Sequence, residues 1–299
     1  MESKITLSSV YFIVTPDASK CSEELEILFD TESGLRFTVR QFSQNEPELD
    51  FVSRFILDEL GIEFEDPLAD KIDDIIDEYE GSFPNTYQFS QKARLTLPEV
   101  NACEDPDLAL IEWIFHEERM FRRLESKIVA KRIQDGFGED NNIDVDGFIK
   151  YSLSVHNRRK SIMGHSLEHH LSAIFDAFKL KYENNAKTEN GKRPDFLFPS
   201  LKLYNDASST GDERLVMLGA KSTCKDRWRQ VLTEADKIPK KHLLTLERGI
   251  SGDQTNQMQA EDLQLIVPQG LQNTYNEDQQ SWLWTLSDFI KEVRSRPSD

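Results

Sequence analysis

Pro194-Asp195 opens one short apolar run of the chain, Lys221 closes the next, and Glu234 lies 13 residues beyond that lysine. Hydrolysing a phosphodiester with a divalent cation needs carboxylates to hold the ion and an ammonium near the attacking water or the charge that develops on phosphorus. An aspartate and a lysine at the ends of adjacent strands supply these, and Glu234 adds a second carboxylate from the segment that follows. Mg2+ takes oxygen ligands and keeps several waters, so two or three carboxylates suffice. Glu168, in GHSLEHHLSAIFDAF, is a further candidate. At about 100° per residue, Leu167, Leu171, Ile174 and Phe178 share one stripe and Glu168 falls at its edge beside Phe175. A carboxylate there is costly unless it is paired, metal-bound or able to reach solvent, and spacing alone leaves these open.

Directly after Lys221 come Lys225, Asp226, Arg227 and Arg229. In a DNA major groove Arg and Lys donate to guanine and Asp accepts from cytosine, so side-by-side basic and acidic readers suit G:C pairs. A surface network of salt bridges on a helix has the same pattern. A second basic run is Arg158, Arg159 and Lys160. Other motifs fail on inspection. NIDVDG (142–147) starts like a calcium loop but has Leu153 where a bidentate Glu is required. His165 and His169 have zinc spacing without the intervening Glu. Cys224 has no convincing His partner, so a structural role is expected of it.

These residues need strands and helices to hold them. Apolar runs at 195–199, 214–222, 242–246 and 263–268 read as strands, with a helical segment DRWRQVLTEADKI between the second and third. Ahead of them, a long helical pattern runs from Asp107 through ALIEWIFHEERMFRRLESKIVAKRI, followed by helices over 144–156 and roughly 162–179. Ser281 to Val293 reads as a closing amphipathic helix. A helical entry followed by alternating strands and helices implies an α/β core with a mainly parallel or mixed sheet.

The first third differs. Residues 5–14 and 25–42 read as strands, and helical patterns follow at Phe51, Phe55, Ile56 and Leu60 and at Leu68, Ile72, Ile75 and Ile76. Of the chain's formal charge of −18, residues 1–107 contribute 25 acidic against 8 basic side chains, while the rest is nearly balanced. The expected division is therefore an acidic α+β module over 1–105 and an α/β domain over 106–299. The chain's 299 residues, 38% hydrophobic, can bury two cores without disulfides. Three cysteines make no disulfide framework, and the absence of a secretory leader or membrane-spanning run predicts a soluble, cytoplasmic protein.

With Asp195, Lys221 and Glu234 placed, the region resembles the PD-(D/E)xK nucleases, in the variant whose second carboxylate is displaced onto the following helix. More narrowly, it resembles the catalytic domain of the EcoRII-type Type II restriction endonucleases. The resemblance rests on NRRKS (157–161), SLEHHL (166–171), RPDFLFPS (193–200), Tyr204, LGAKSTCKDRWRQVL (218–232) and KHLLTL (241–246), over roughly 108–299. It implies a restriction-endonuclease-like core, a central mixed sheet flanked by helices, that binds duplex DNA. It further implies a Mg2+ centre of Asp195, Lys221 and Glu234 with Glu168 as an extra acid, and Lys225, Asp226 and Arg227 as readers of a CC…GG-containing site.

Tyr204 matches a tyrosine near the family's active site, and a half-buried structural aromatic is the other reading. Some relatives extrude the central bases, for which Arg119, Phe121 and Arg122 are the candidates in this chain. A homodimer and a companion DNA methyltransferase are the expected partners. The family's N-terminal effector domain has no counterpart in the acidic module, which is expected to shield a basic cleft, bind another protein or solubilise the chain. Two rivals stay open: a structure-specific or repair nuclease of the same superfamily, and a non-cleaving DNA-binding regulator.

Overall fold

The computed structural model describes residues 69–79, 81–139, 142–207, 210–224 and 227–297. The strands expected at 5–14 and 25–42 and the helical pattern from Phe51 to Leu60 lie outside the described residues. The chain divides into two compact units, Met1–Asp66 and Pro67–Asp299, and every described residue belongs to the second.

Two short helices open it, α1 (Ala69–Ile76) and α2 (Thr86–Leu95), the latter capped by the Asn85 side chain. They pack on two much longer ones, α3 (Pro106–Asp135) and α4 (Val145–Ala177), which at 1.5 Å per residue run about 45 and 50 Å. Asp105 caps α3 ahead of a proline at its first position, a strong start signal. Ile72 and Ile76 of α1, Phe89 and Ala93 of α2, and Met120 and Leu124 of α3 form one buried cluster. The division expected at 105/106 thus falls inside a packed unit, because α1 and α2 share their core with α3 and α4. The acidic face of α1 is also partly neutralised there: Asp73 receives Arg123 at 2.7 and 2.8 Å and Lys127 at 3.0 Å, and Asp77 receives Lys127 at 2.8 Å.

Between α3 and α4 lies a two-stranded ribbon, β1 (Gly138–Glu139) and β2 (Asn142–Ile143). The calcium-like NIDVDG sequence is a helix start: the Asp144 carboxylate accepts the Gly147 N–H at 2.8 Å. Where two helices were expected over 144–156 and 162–179, α4 is continuous. The intervening residues hold no proline, and Gly164 alone is tolerated inside a helix tied down on both sides.

The sheet has five strands in the order β3 (Glu183–Asn184), β4 (Phe196–Phe198), β5 (Val216–Lys221), β6 (Lys241–Thr245) and β7 (Leu263–Ile266), antiparallel through β5 and parallel beyond it. It is the mixed sheet the sequence predicts, with all four long strands in place. Phe196 and Phe198 of β4 and Val216, Leu218 and Ala220 of β5 face a core filled by Phe175 of α4 and Phe289 of α9 (Leu286–Ser295). By strand alternation, Met217, Gly219 and Lys221 point to the other face.

The connections refine the expectations. Helix α5 (Leu201–Asp206) follows β4, and α7 (Gly252–Ala260) joins β6 to β7. Between β5 and β6, the expected helix of DRWRQVLTEADKI is one turn only, α6 (Trp228–Val231). It stops where the Thr233 hydroxyl turns back to the Gln230 carbonyl and Ala235 takes a left-handed φ of 49°. The closing helix begins at Leu286 rather than Ser281: Trp284 bridges to β7, and Thr285 with Asp288 forms a capping box, with α8 (Glu277–Gln280) just before. Asp107, at the start of α3, accepts the N–H groups of Gln269, Leu286 and Ser287 at 3.2, 2.8 and 3.0 Å. This buried carboxylate fastens the first turn of α9 to α3.

Candidate active site

Asp195 immediately precedes β4. The register pairs Phe196 with Leu218 and Leu197 with Met217, which brings Asp195 to the end of β5 that carries Lys221. Its Oδ2 accepts the Lys221 ammonium and the Ala220 N–H, both at 2.7 Å. Asp195 is buried and the lysine side chain 21% exposed. A charge-assisted bond of that length, backed by a backbone donor, fixes the carboxylate and aims the ammonium. The Asp195 carbonyl accepts the N–H of Asn185 at 3.1 Å, and the Asn185 amide donates to Glu168 Oε2 at 3.2 Å. Asn185 thus joins β4 to the carboxylate on α4.

Burial pushes the Glu168 carboxyl up, and the negative charge of Asp195 adds to the effect, with Lys221 opposing. Glu234 lies on the turn after α6. Burial, then the charge of Asp195, push its carboxyl up to about 7, against the pull of Lys221, Lys241 and Lys192. The three carboxylates therefore have the Lys221 ammonium in common.

Gly219 sets the approach of the turn: a Cβ there would meet Val231 Cγ2 of α6 at 2.8 Å, so only glycine lets α6 press on β5 beside Lys221. Glu234 Oε2 is buried without a hydrogen-bond partner. An anionic oxygen deprived of water and donors is costly, and a divalent cation held by Glu234 would remove that cost. The donor set, all oxygen, fits Mg2+. Among the described residues no group of three or more His, Cys, Asp or Glu is preassembled as a metal site.

The expected DNA-facing residues divide. Lys225 and Asp226 lie outside the described residues. Arg227 is exposed, and its N–H donates to the Cys224 carbonyl at 2.7 Å. Trp228 is buried beneath it, and Arg229 lies over that indole at 4.6 Å and donates to Gln257 at 2.9 Å. Cys224 is buried, and burial pushes its thiol up to about 12, so it is no thiolate nucleophile.

The second basic run sits in the middle of α4. Arg158 stacks on Phe83, in the connection between α1 and α2, at 4.1 Å, and Arg159 donates to the buried Glu125 of α3 at 2.6 Å, joining α3 to α4. The Lys160 side chain is outside the described residues. Phe121 and Arg122 line a pocket of about 80 Å³ with Glu117, Arg159, Ser222 and Leu246. Arg119, the third member of the expected trio, instead lies over Phe115 at 5.5 Å.

Tyr204 is not placed to touch a substrate. It is 1% exposed, its hydroxyl donates to Glu189 at 2.5 Å and accepts the Lys237 N–H at 3.2 Å. Burial pushes the phenol up, and the Glu189 contact adds to it. Its contact with Lys237 braces the segment that follows Glu234. Two buried groups escaped the sequence reading. Glu117 accepts Ser90 at 3.0 Å and Ser166 at 2.8 Å and lies 2.8 Å from the His170 ring, while Arg94 donates to His170. The other is Lys241, a lysine inside a strand buried along its whole length; that pattern was its signal.

Residues 121–290, more than half of the chain, match the family model described as EcoRII C terminal. The chain belongs to the EcoRII C-terminal family. It is 43% identical over 196 residues to the Type II restriction enzyme EcoRII of Escherichia coli, an alignment that takes in 65% of this chain and 47% of that protein. The chain therefore spans about half the length of this curated relative. Among solved structures, metal-depleted Ecl18kI in complex with uncleaved, modified DNA superposes with a TM-score of 0.60 at 16% identity, covering 76% of this chain and 86% of that one. The restriction endonuclease PspGI in complex with substrate DNA gives 0.58 at 14% identity, covering 71% and 92%. These likenesses show the fold, a restriction-endonuclease core, to which the EcoRII C-terminal family adds the sequence frame. Among the described residues no helix is long and apolar enough to cross a membrane.

Proposed function

We propose that this member of the EcoRII C-terminal family is a Type II site-specific deoxyribonuclease that cuts duplex DNA at a CC…GG-containing site by Mg2+-dependent phosphodiester hydrolysis. The observation that carries the reading is the Lys221 ammonium held on Asp195, with the unpartnered oxygen of Glu234 in the field of the same aspartate. Asp195 and Glu234, with Glu168 as an additional acid, would hold Mg2+, which when bound lowers the pKa of a coordinated water and polarises the phosphate. Lys221 orients the attacking water and offsets the charge that builds on phosphorus. Asp195 keeps that ammonium aimed.

Lys225, Asp226 and Arg227, next in sequence after the catalytic lysine, read the C:G pairs, and Arg229 supports them from the Trp228 face. An extruded central base would rest in the pocket walled by Phe121 and Arg122, where a ring and a planar guanidinium offer stacking. One chain holds one such centre, so cutting both strands of a two-fold site calls for a homodimer. A companion methyltransferase, and a cytoplasmic location, follow from the same activity. The acidic module is proposed to shield the cleft until DNA competes it away.

The test is digestion of one plasmid with Mg2+ followed by sequencing of the fragment ends. Discrete fragments ending at one motif support the reading. A smear would mean a structure-specific nuclease, and no cleavage a regulator.

A further inference from the structure

We propose that Lys241 is a positioning residue for Glu234, holding from below the turn that presents this carboxylate to Asp195; the inference rests on the reading of Glu234 as a metal carboxylate. Glu234 is carried neither by a strand nor by a helix but by an irregular turn beyond a single helical turn. A carboxylate on such a turn keeps its aim only if the backbone is pinned, since a site about 1 Å too loose loses its function. Lys241, on β6 and 4% exposed, donates its ammonium to the carbonyls of Glu234 at 2.5 Å and Ala235 at 2.8 Å.

Ala235 is itself 1% exposed and left-handed at φ 49°, a conformation that is strained for an alanine and needs outside support. The neighbouring lysine supplies more of it. Lys237 donates to the carbonyls of Tyr204 and Ala207 at 2.9 Å each and so ties the far end of the turn to α5. Burying an ammonium is expensive unless it is hydrogen-bonded, and Lys241 places two of its three protons on the backbone that carries the carboxylate. Burial pushes the Lys241 ammonium down from its ordinary value, with Asp236, Glu234 and Glu189 opposing.

The experiment is Mn2+ binding to the metal-free full chain by calorimetric titration, with duplex binding in chelator as the companion measurement. Lys241→Met should weaken Mn2+ binding about tenfold while sequence-specific duplex binding stays within about twofold. Adding Ala235→Gly to that variant should recover part of the loss, because glycine adopts a positive φ without strain. If Lys241→Met loses its cooperative thermal transition, Lys241→Gln, which retains an amide donor, is read on the same scale.

Wild-type Mn2+ affinity in the folded lysine variant, or a parallel loss of duplex binding, overturns the inference. Glu234→Gln separates it from its premise. Unchanged Mn2+ affinity in that variant overturns the reading of Glu234 itself, whereas a loss there with none in the lysine variant overturns only the positioning role.

Discussion

Replacing Glu234 by glutamine should stabilise the metal-free protein at pH 8 while removing its cleavage activity. The folded chain raises this carboxyl from an ordinary 4.5 to about 7, and each tenfold in proton affinity corresponds to about 1.4 kcal/mol. The ionised form is therefore disfavoured by up to about 3 kcal/mol. The sign follows from proton binding. Between pH 4.5 and 7 the folded state keeps a proton that the unfolded chain has released, so stability falls as pH rises through that window and the full penalty is present above it.

Glutamine keeps the shape and carries no charge, so the variant escapes the penalty by about 1–3 kcal/mol at pH 8 and loses most of that advantage by pH 5. For a domain of this size each kcal/mol moves the melting temperature by about 2–4 °C. Thermal unfolding in chelator at the two pH values is the assay. Mg2+ should then stabilise the wild type more at pH 8 than at pH 5, and the variant at neither. A variant no more stable than wild type at pH 8, or one with an equal gain at both pH values, would show that burial and mutual repulsion do not raise this carboxyl.

Lys221→Ala should abolish cleavage and retain sequence-specific binding in gel-shift titrations; surviving cleavage would remove Lys221 from the mechanism. Arg227→Ala should cost about 1–3 kcal/mol of discrimination at one base pair, whereas an equal loss on every sequence would mark a phosphate contact. Asp107→Ala strands the three N–H groups it now satisfies and should cost about 2–4 kcal/mol in urea unfolding, with Asp107→Asn in between. Deleting residues 1–66 should leave a folded nuclease unit and raise its cleavage rate if the acidic module shields it. Deleting 1–105 strips α1 and α2 from the shared core and should yield insoluble protein instead, a contrast that expression and circular dichroism will settle.

The strands that carry the chemistry were legible because each is a short apolar run ended by its functional residue: Phe196–Phe198 behind Asp195, and Val216–Lys221. The glutamate of the turn was legible as a residue but not as a conformation. Nothing in DRWRQVLTEADKI announces that α6 ends after one turn, because the groups that hold the turn beyond it include Lys241 of β6, which donates to the carbonyls of Glu234 and Ala235. The basic run Arg158–Arg159 looked like a DNA contact because sequence shows charge without partners. Phe83 and Glu125, which occupy those guanidinium groups, come from far along the chain. Likewise the charge imbalance of residues 1–107 predicts a division at 105/106, yet charge does not show which elements share a core. Glu117 and His170 were hidden for the opposite reason: polar residues inside long helices look solvated until the helices are packed.

The Asp107 clasp has a bearing on how the enzyme comes into being. Its bonds to the first turn of α9 span 179 and 180 positions of chain, and Phe289 from that helix lies 5.6 Å from Phe198 and 6.1 Å from Phe175 in the layer behind β4. Ring closure over so long a segment carries an entropic cost that only the finished contacts offset. A nascent polypeptide can thus expose every residue of its cutting centre before it possesses the wedge that tightens them.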